Sequence, residues 1–282
     1  MRRLRFIERA ALWTGQVGRR AVAATFDVSI SHVTSDFHRY REMAPRNLSY
    51  DVAEKCFRPT ASFKPLFETE DPADILSTIA ASVTLPNQDR CRLLGFTPSV
   101  DVAQALPVAI DQALLVSICR GITVGAALEI NYQSMATPEA NKRLFAPHAL
   151  IFTGQRWLVR GWDGRHQAYR DLALARVLSA GATRELGEDL PRDDKWHDRA
   201  TLEISLIDGM SSGQVDVTAR EFGMRREPDG SFAVRIQPRK AMIPYVLDHL
   251  RLRPTDHASQ AAPIRLRNYD DIREFDRPSA AG

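Results

Sequence analysis

The chain has 282 residues, of which 44% are hydrophobic and 26% charged, an ordinary composition for a folded protein of two or three domains. No apolar run approaches the roughly 20 residues of a membrane span, so the sequence predicts no transmembrane helix. The formal net charge is +3, but the first 65 residues carry 12 Lys or Arg against 6 Asp or Glu. These 65 residues, here called the head, are basic, and the rest of the chain is mildly acidic. Such a distribution is expected where one end of a protein contacts a polyanion.

The chain starts with MRRLRFIERAALW, which is basic and then apolar like a signal peptide. Glu8 and Arg9 interrupt the apolar run, however, so the segment predicts an amphipathic helix. The three cysteines, Cys56, Cys91 and Cys119, are widely spaced and form no CxxC pair. This usage indicates a reducing, cytoplasmic location and argues against a disulfide framework or a zinc site.

Helical periodicity predicts three helices in the basic head. The first ends near Gly15, the second covers Arg19–Phe26, and the third begins after the N-cap Ser29 and reaches about Met43. The apolar stripe of the third helix consists of Ile30, Val33, Phe37 and Tyr40. Its opposite face is polar.

A short helix, a tight turn and a longer polar-faced helix are typical of a helix-turn-helix domain, whose second helix enters the major groove. Small hydroxyls and histidines can hydrogen-bond base edges, and arginines at the start of the preceding helix suit phosphates. Leu48–Asp51 and Lys55–Arg58 predict two short strands, which would form a wing. The predicted DNA-contacting residues are Arg19, Arg20, Ser29, Ser31, His32, Ser35, His38, Arg39, Lys55 and Arg58. The alternative is a three-helix packing unit with solvated charges, but the turn, the basic excess and the wing together favour DNA binding.

The segment after the head is linker-like. Pro72 after the N-cap Asp71 predicts a helix, whereas residues 86–102 show no clear period and are expected to connect domains. A further helix is predicted over Ala105–Arg120, with Gly121 ending it.

The centre of the chain predicts a small antiparallel sheet. Its strands are Ala127–Tyr132, His148–Phe152, Arg156–Trp162 and Gln167–Leu172, with turns at Thr153-Gly154-Gln155 and Asp163-Gly164. Alternation places Trp157 and Val159 on one face, and Leu158 and Arg160 on the other. A core needs apolar residues but not the basic side chains of His148, Arg160, Arg170 and Arg176 at or beside these strands. We interpret this sheet as an anion- or polymer-sensing surface.

The stretch from Arg184 to Asp194 is charged and rich in turn residues, which predicts a domain boundary. Beyond it the sequence alternates short strands and helices, which indicates a small α+β module of the ferredoxin-like kind. The predicted elements are Leu202–Ile207, Ser212–Phe222, Phe232–Ile236, Lys240–His249 and Ile264–Arg267. Residues from Arg277 onward are expected to be disordered.

The sequence lacks the common motifs for catalysis. The sequence has no G-x-S-x-G, P-loop, H-E-x-x-H or G-x-G-x-x-G motif, so no catalytic residue is predicted. The seven histidines show no ligand spacing with Cys or carboxylates, so neither a metal site nor a cofactor is expected. Asp163 and Asp171 are interpreted as hairpin and strand-edge residues rather than as an acid–base pair.

The order of helix-turn-helix, Trp-centred sheet and small α+β tail resembles the WYL-domain transcriptional regulators. Trp157-Leu158-Val159 lies where the family has Trp-Tyr-Leu, so the motif tyrosine is missing. The segments INYQS at Ile130–Ser134, APHAL at Ala146–Leu150 and YRDLALARV at Tyr169–Val177 resemble the family more closely. They are most similar to the regulators encoded beside bacterial phage-defence operons of the BREX and CBASS types.

The resemblance implies a multidomain α+β fold: a winged helix-turn-helix, a central Sm-like β-barrel and a small ferredoxin-like C-terminal domain. The expected domains are residues 1–65 for DNA binding, 66–104 as a helical linker, 105–185 as the WYL domain and 195–276 for dimerisation. The resemblance also implies a nucleotide-like or nucleic-acid ligand, bound by Tyr132, Ser134, His148, Trp157, Arg160, Arg170 and Arg176. Arginine forks and aromatic faces suit such ligands.

The individual ligand residues have simpler alternatives. Trp157 is expected to be a core residue, His148 is as well explained by a structural role, and Arg176 is expected to pair with Asp171. Arg160 and Arg170 are the preferred ligand contacts.

The residue patterns and the resemblance together imply a cytoplasmic homodimeric repressor that binds palindromic double-stranded operator DNA of a phage-defence operon, with affinity modulated by a WYL ligand. One alternative is an adaptor that binds single-stranded DNA or RNA through the barrel. Another, an enzyme on nucleotides, lacks a nucleophile and an acid–base pair. Neither alternative involves a membrane.

Overall fold

The computed structural model describes residues 1–67, 71–103, 107–184, 190–255 and 263–276. The chain divides into two compact units, Met1–Gln104 and Ala105–Gly282. No helix in the described part of the chain is both long enough and apolar enough to cross a membrane.

The head of the first unit has the predicted order of three helices and a hairpin. Its elements are α1 (Arg2–Thr14), α2 (Arg19–Phe26), α3 (Ile30–Met43), β1 (Leu48–Asp51) and β2 (Cys56–Pro59). Gly15 ends α1 in the left-handed conformation at φ 73°. Ser29 caps α3, because its hydroxyl accepts a 3.4 Å hydrogen bond from the His32 N–H. Only β2 departs from the predicted bounds, by one residue.

The buried core of this head comes from the apolar stripes of the helices. Val33, Phe37 and Tyr40 of α3 are 0–1% exposed. The Glu8 carboxylate is also fully buried, and it accepts hydrogen bonds from the Tyr40 hydroxyl and from the N–H groups of Leu66 and Phe67, at 2.7, 2.8 and 2.6 Å. A buried carboxylate needs such donors, so the start of the linker-like segment is fixed to the head.

Two helices follow, α4 (Pro72–Ala81) and α5 (Asn87–Leu94). Asp71 caps α4 as predicted. Residues 86–102, in which the sequence shows no clear period, contain the helix α5. Its sequence is mostly polar, and of its residues only Leu94 is fully buried, so an apolar period is missing. Contacts with α1 support it: the Arg9 guanidinium donates to the Leu93 carbonyl at 2.5 Å.

The second unit begins with α6 (Gln112–Val124), which starts and ends later than predicted. Asp111 is its N-cap, and Gly125 at φ 67° ends it. Gly121 does not end the helix. It lies where α6 crosses the sheet, and a Cβ added there would be 3.0 Å from the Pro147 ring. Close packing therefore explains this glycine, while residues 105–106 of the predicted helix lie outside the described part.

The central sheet has five antiparallel strands. They are β3 (Ala127–Tyr132), β4 (Asn141–Phe152), β5 (Trp157–Asp163), β6 (Ala168–Ala173) and β7 (Val177–Arg184). The spatial order is β6-β5-β4-β3-β7. The strand β7 and the first half of β4 were not predicted from the sequence. Both carry Lys, Arg, Ser or Thr among the apolar residues, so their alternation is weak.

The sheet is open, so the closed barrel expected from the sequence is not confirmed. No pairing recorded for the described residues joins β6 to β7, which lie at opposite edges. A single 3₁₀ turn, Leu174–Arg176, nevertheless carries the chain from the end of β6 to the start of β7. Two edges linked by one turn must lie close at that end, so the sheet is strongly curved. Register shifts between β3 and β7 and between β4 and β5 accommodate this curvature.

The C-terminal part forms a second sheet with helices. Its elements are α7 (Asp194–His197), β8 (Leu202–Leu206), α8 (Ser212–Glu221), β9 (Arg225–Arg226), β10 (Phe232–Ile236), α9 (Ile243–Leu250), β11 (Ile264–Leu266) and α10 (Tyr269–Ile272). The spatial order β11-β8-β10-β9 is antiparallel throughout. The chain order from β8 to β11 is strand, helix, strand, strand, helix, strand.

The outer face of the central sheet packs on this C-terminal part. Leu158 and Ile151 form a buried cluster with Tyr245 of α9. Val159, the neighbour of Leu158 on the other face, lies in the main core of the sheet. The predicted alternation of β5 is thus correct, but both faces are covered, and this decides the environment of Arg160.

Candidate DNA-binding surface and buried ion-pair network

The predicted DNA-contacting side chains of α3 lie together on one solvent-facing side. Ser31, His32, Ser35, His38 and Arg39 are all exposed, opposite the buried stripe of the helix. The Ser29 and Ser31 hydroxyls are 2.8 Å apart, and the Ser35 hydroxyl donates to the Ser31 carbonyl at 3.3 Å. The N-terminal half of α3 is therefore a narrow polar surface of small side chains.

The two arginines at the start of α2 have different environments. Arg20 is exposed. The Arg19 guanidinium lies 4.9 Å from the ring centre of Phe57 and 5.1 Å from that of Tyr50. Its Nε is buried without a hydrogen-bond partner in the described part of the chain. Arg19 thus joins α2 to the wing through cation–π contacts.

The wing turn is ordered by Asp51. Its carboxylate accepts from the N–H groups of Ala53 and Glu54 at 3.0 and 3.1 Å, and from Arg58 at 2.9 Å. These hydrogen bonds, first that from Glu54, hold the pKa of the Asp51 carboxyl below its ordinary value. Arg58 is therefore engaged within the wing, while Lys55 is exposed at the turn.

Arg160 is the centre of a buried ion-pair network. It is 1% exposed and lies between two carboxylates. Its Nη1 donates to Asp171 at 2.7 Å, while Nε and Nη2 donate to Asp193 at 2.7 and 2.9 Å. Asp171 faces Arg160 across the β5–β6 pairing and also accepts a 2.8 Å hydrogen bond from the Tyr245 hydroxyl. The network joins the central sheet to α9.

Burial and hydrogen bonding compete in setting the pKa values of this network. Burial alone would raise the pKa of the Asp193 carboxyl, but hydrogen bonds from His148 and Arg160 outweigh it and lower that pKa. Burial dominates at Asp171 and raises its pKa despite the charge of Arg160. Burial also raises the pKa of the Tyr245 hydroxyl, with the Asp171 charge adding to the effect. Asp193 is thus the firmly ionised partner of Arg160.

His148 borders the network at the surface. Its Nε2 lies 2.9 Å from the Asp193 carboxylate, and its side chain is 29% exposed. The rings of Tyr169 and Trp196 flank it at 5.4 and 5.6 Å. A basic edge bordered by aromatic rings remains accessible beside the buried ion pairs.

A second buried pair explains Asp163. Arg143, with a side chain 4% exposed, donates to the fully buried Asp163 at 2.9 Å. Burial alone would raise the pKa of Asp163, but a hydrogen bond from His166 and the Arg143 charge lower it. Arg143 also lies 5.0 Å from the Tyr132 ring centre. The hairpin role predicted for Asp163 is correct, since it also accepts from the Arg165 N–H at 3.0 Å.

The remaining predicted ligand residues are not gathered at one place. Tyr132 is fully buried, and its hydroxyl accepts from the Ala173 N–H at 3.3 Å. Ser134 is buried and accepts from the Ala136 N–H at 3.0 Å. Arg170 and Arg176 are half-buried.

Two expectations about individual side chains are wrong. Trp157 is not a core residue: it is 41% exposed and packs on Phe152 at the rim of the sheet, because it is the first residue of β5. Asp171 pairs with Arg160 rather than with Arg176, because the strand register places Arg160 directly opposite.

Sequence reasoning missed Asp193 and Tyr245. Asp193 is 33 residues from Arg160 and falls in the stretch interpreted as a domain boundary. Its one sequence signal is its position as N-cap of the short helix α7, which it caps through the Trp196 N–H. Tyr245 carries no such signal, because it lies among the apolar residues of α9.

The fold and the exposed face of α3 define the class of this molecule: a winged helix-turn-helix protein with a separate C-terminal α+β unit. Comparison with family models gives three matches in the same order. Residues 1–81 match the BrxR transcriptional regulator winged helix-turn-helix domain, 113–181 the WYL domain, and 199–272 the BrxR C-terminal dimerization domain. The chain therefore has the domain composition of a WYL-domain transcriptional regulator of the BrxR type.

The similar curated proteins are each described as the DNA-binding transcriptional repressor CapW. The protein from Escherichia coli strain KTE188 is 29% identical over 96% of this chain and 90% of its own length. The Stenotrophomonas maltophilia protein is 29% identical over 100% of this chain and 93% of its own. The Pseudomonas aeruginosa protein is 27% identical over 97% and 91%.

Among solved structures, the proteasome accessory factor B/C of Arthrobacter aurescens aligns over 92% of this chain at 15% identity, with a TM-score of 0.27. The chain spans 44% of the length of that protein.

Proposed function

We propose that this protein is a homodimeric repressor that recognises operator DNA with the exposed face of α3. The observation that carries the proposal is the solvent-facing set of small hydroxyls, histidines and Arg39 opposite a buried stripe. Such side chains reach base edges when a recognition helix lies in the major groove. The matched dimerization domain and the relatives named as repressors support the same function.

Within this proposal the residues have different roles. Ser31, His32, Ser35, His38 and Arg39 would contact bases, and Ser29 would order the start of the helix. Arg20 and Lys55 are exposed and suit phosphate contacts. Arg19 and Arg58 are held by the wing aromatics and by Asp51, so they would position the wing.

A test is to replace Ser31 and Ser35 by glutamate and to measure binding to the DNA upstream of the gene. Acidic side chains facing the groove repel phosphates, so we expect binding to fall at least to the non-specific level, roughly 10³-fold or more. Ser77→Glu is the matched control. Ser77 is likewise an exposed helical serine, and it donates to a carbonyl four residues earlier at 2.9 Å. Unchanged operator binding by the double variant would favour the adaptor alternative.

We further propose that the WYL domain senses a nucleotide-like or nucleic-acid ligand that shifts the DNA affinity of the dimer. The accessible members of the predicted ligand set are His148 with its aromatic neighbours, the half-buried Arg170 and Arg176, and Trp157 at the rim of the sheet. Ligand binding would favour a dimer geometry in which the two α3 helices no longer match half-sites one helical turn apart. Arg160 would support this surface through Asp193, which also contacts His148. The buried Tyr132 and Ser134 would stabilise the fold that carries it.

We also propose a cytoplasmic repressor of a phage-defence operon with a palindromic operator. The support is the resemblance of the APHAL and YRDLALARV segments to regulators of such operons, together with the CapW relatives. The proposed domains are 1–65, 66–104, 105–185 and 195–276. The strong curvature of the central sheet and the strand-helix order of the C-terminal part support the Sm-like and ferredoxin-like folds expected for the last two.

A further inference from the structure

Asp193 occupies a position where a guanidinium fork and an imidazole converge. The Arg160 Nε and Nη2 atoms each donate to a different oxygen of this carboxylate, at 2.7 and 2.9 Å. His148 Nε2 lies 2.9 Å from Oδ2. A two-pronged guanidinium contact binds a phosphate as well as a carboxylate. The residue Asp193 is thus held as a bound anion would be held.

The other carboxylate on Arg160 is held differently. Asp171 is fully buried, lies on the paired strand β6, and is fixed by the Tyr245 hydroxyl at 2.8 Å. Asp193 precedes a helix of one turn in the segment between the two sheets. One guanidinium therefore faces two carboxylates, and Asp193 is the one whose removal leaves Arg160 still paired inside the sheet.

The site can be reached from the His148 side. The His148 side chain is 29% exposed, whereas Asp193 is 4% exposed. The rings of Tyr169 and Trp196 flank His148, and Trp162 packs against Tyr169 at 5.2 Å. Aromatic faces at the entrance of an anion site suit a base attached to a phosphate.

We propose that Arg160 and His148 form a phosphate-binding site that Asp193 closes from within the chain. A phosphate-bearing ligand takes the place of the Asp193 carboxylate and thereby releases the segment that leads into the C-terminal domain. Asp193 competes with the ligand because it is tethered to the site. This proposal rests on the proposed ligand-sensing function of the WYL domain, for which it names a ligand chemistry and a means of regulation.

The direct test is calorimetric titration of inorganic pyrophosphate into the full-length Asp193→Asn variant. Asparagine lacks the charge but keeps the N-cap of α7. We expect affinity to rise roughly tenfold over the wild type, since a site open about a tenth of the time loses that factor in apparent affinity. Asp194→Asn is the matched control, because the neighbouring side chain is 71% exposed and pairs with an exposed arginine. Its affinity should equal that of the wild type.

The gain in pyrophosphate affinity of Asp193→Asn must also depend on the proposed site. Adding His148→Gln to Asp193→Asn should remove most of it. An Asp193→Asn protein that binds pyrophosphate no tighter than the wild type overturns the proposal, as does a gain that survives His148→Gln. Titrating a nucleoside diphosphate in parallel identifies the source of the phosphate. Tighter binding than pyrophosphate indicates a nucleotide, and equal binding indicates the phosphate alone.

A measurement on the wild type avoids any folding defect of the variants. The Trp196 N–H donates to the Asp193 carbonyl at 3.0 Å and contacts its carboxylate at 3.3 Å. Saturating pyrophosphate should therefore speed hydrogen exchange at Trp196, and unchanged exchange contradicts displacement of Asp193. Operator binding by the wild type tests the repressor function separately. If the wild type binds operator DNA but Asp193→Asn shows no gain in pyrophosphate affinity, the repressor function stands and only the proposed phosphate site fails.

Discussion

At the scale of single residues, Arg160 shows how far sequence reasoning reaches. Alternation along β5 assigns it to the same face as Leu158, and a basic residue on a sheet face predicts a surface for anions. The side chain is instead 1% exposed, because the C-terminal part covers that face. Its second partner, Asp193, lies 33 residues away. No local sequence pattern predicts a contact between residues that far apart. The sequence therefore identifies the basic side chain of Arg160 but not its buried environment.

Replacing Arg160 by methionine should be strongly destabilising. It leaves the fully buried Asp171 without its ion-pair partner, and breaking such a pair costs roughly 3–5 kcal/mol. Urea unfolding of the wild type and the variant measures this loss. Arg235→Met is the control, because Arg235 pairs with Glu203 and Glu227 at the surface, where ion pairs contribute little. Similar losses in both variants would contradict the account of the network.

The same network makes a prediction about pH. The pKa of Asp193 is lowered in the folded state, so its contribution to stability is present above the ordinary aspartate value of about 3.9 and is lost as the pH falls through the folded value. The difference in unfolding free energy between the wild type and Asp193→Asn should therefore be largest near neutral pH and shrink below about pH 4.

Urea unfolding at several pH values measures that difference. Asp171 acts in the opposite sense, because its raised pKa favours the folded state at low pH and this contribution is lost as the pH rises. Because the Asp193 charge adds to the raised pKa of Asp171, this opposing contribution should be smaller in Asp193→Asn than in the wild type. A difference that stays constant down to pH 2 would contradict the assigned direction for Asp193.

At the scale of secondary-structure elements, capping residues are the sequence signals that best predict where helices begin and end. Ser29, Asp71 and Gly15 have local signals that depend on a few neighbours, and the structure confirms the caps they predict. The helix α5 has no side-chain N-cap and no clear apolar period, and the alternation of the strand β7 is weak, so neither was predicted. The end of α6 was misplaced because a glycine needed for packing, Gly121, resembles a glycine that ends a helix.

The pairing of β4 and β5 at Pro147 should not tolerate a side chain at Gly161. A Cβ there would lie 2.3 Å from the Ala146 carbonyl oxygen and 2.7 Å from the Pro147 Cα. Because backbone atoms cannot move aside cheaply, Gly161→Ala should lose roughly 1–3 kcal/mol or more in denaturant unfolding. Gly213→Ala in α8 meets nothing within 4 Å. We expect that control to be neutral or slightly stabilising. Equal losses of stability at both sites would contradict the close contact between Gly161 and the β4 backbone.

At the scale of the whole molecule, the basic head and the Arg160 network lie in different compact units of the chain. The excess positive charge lies in the first 65 residues, which carry α3 and the wing, as expected for the part that contacts a polyanion. The unit with the dimerization match also carries the Arg160 network, so the proposed ligand site and the proposed dimer contacts share one compact body. Ligand-induced release of Asp193 would then act on the spacing of two α3 helices.

The most direct test of the central claim is a hydroxyl-radical footprint of the wild-type protein on the DNA upstream of its gene. A dimer that inserts two α3 helices predicts two protected half-sites related by a two-fold axis, with centres about one helical turn, or roughly 10 base pairs, apart or at a multiple of that spacing. Ser31→Glu/Ser35→Glu should lose both protected regions together, and Ser77→Glu should keep them. A single unsymmetrical region, or protection that survives the double substitution in α3, would contradict the account.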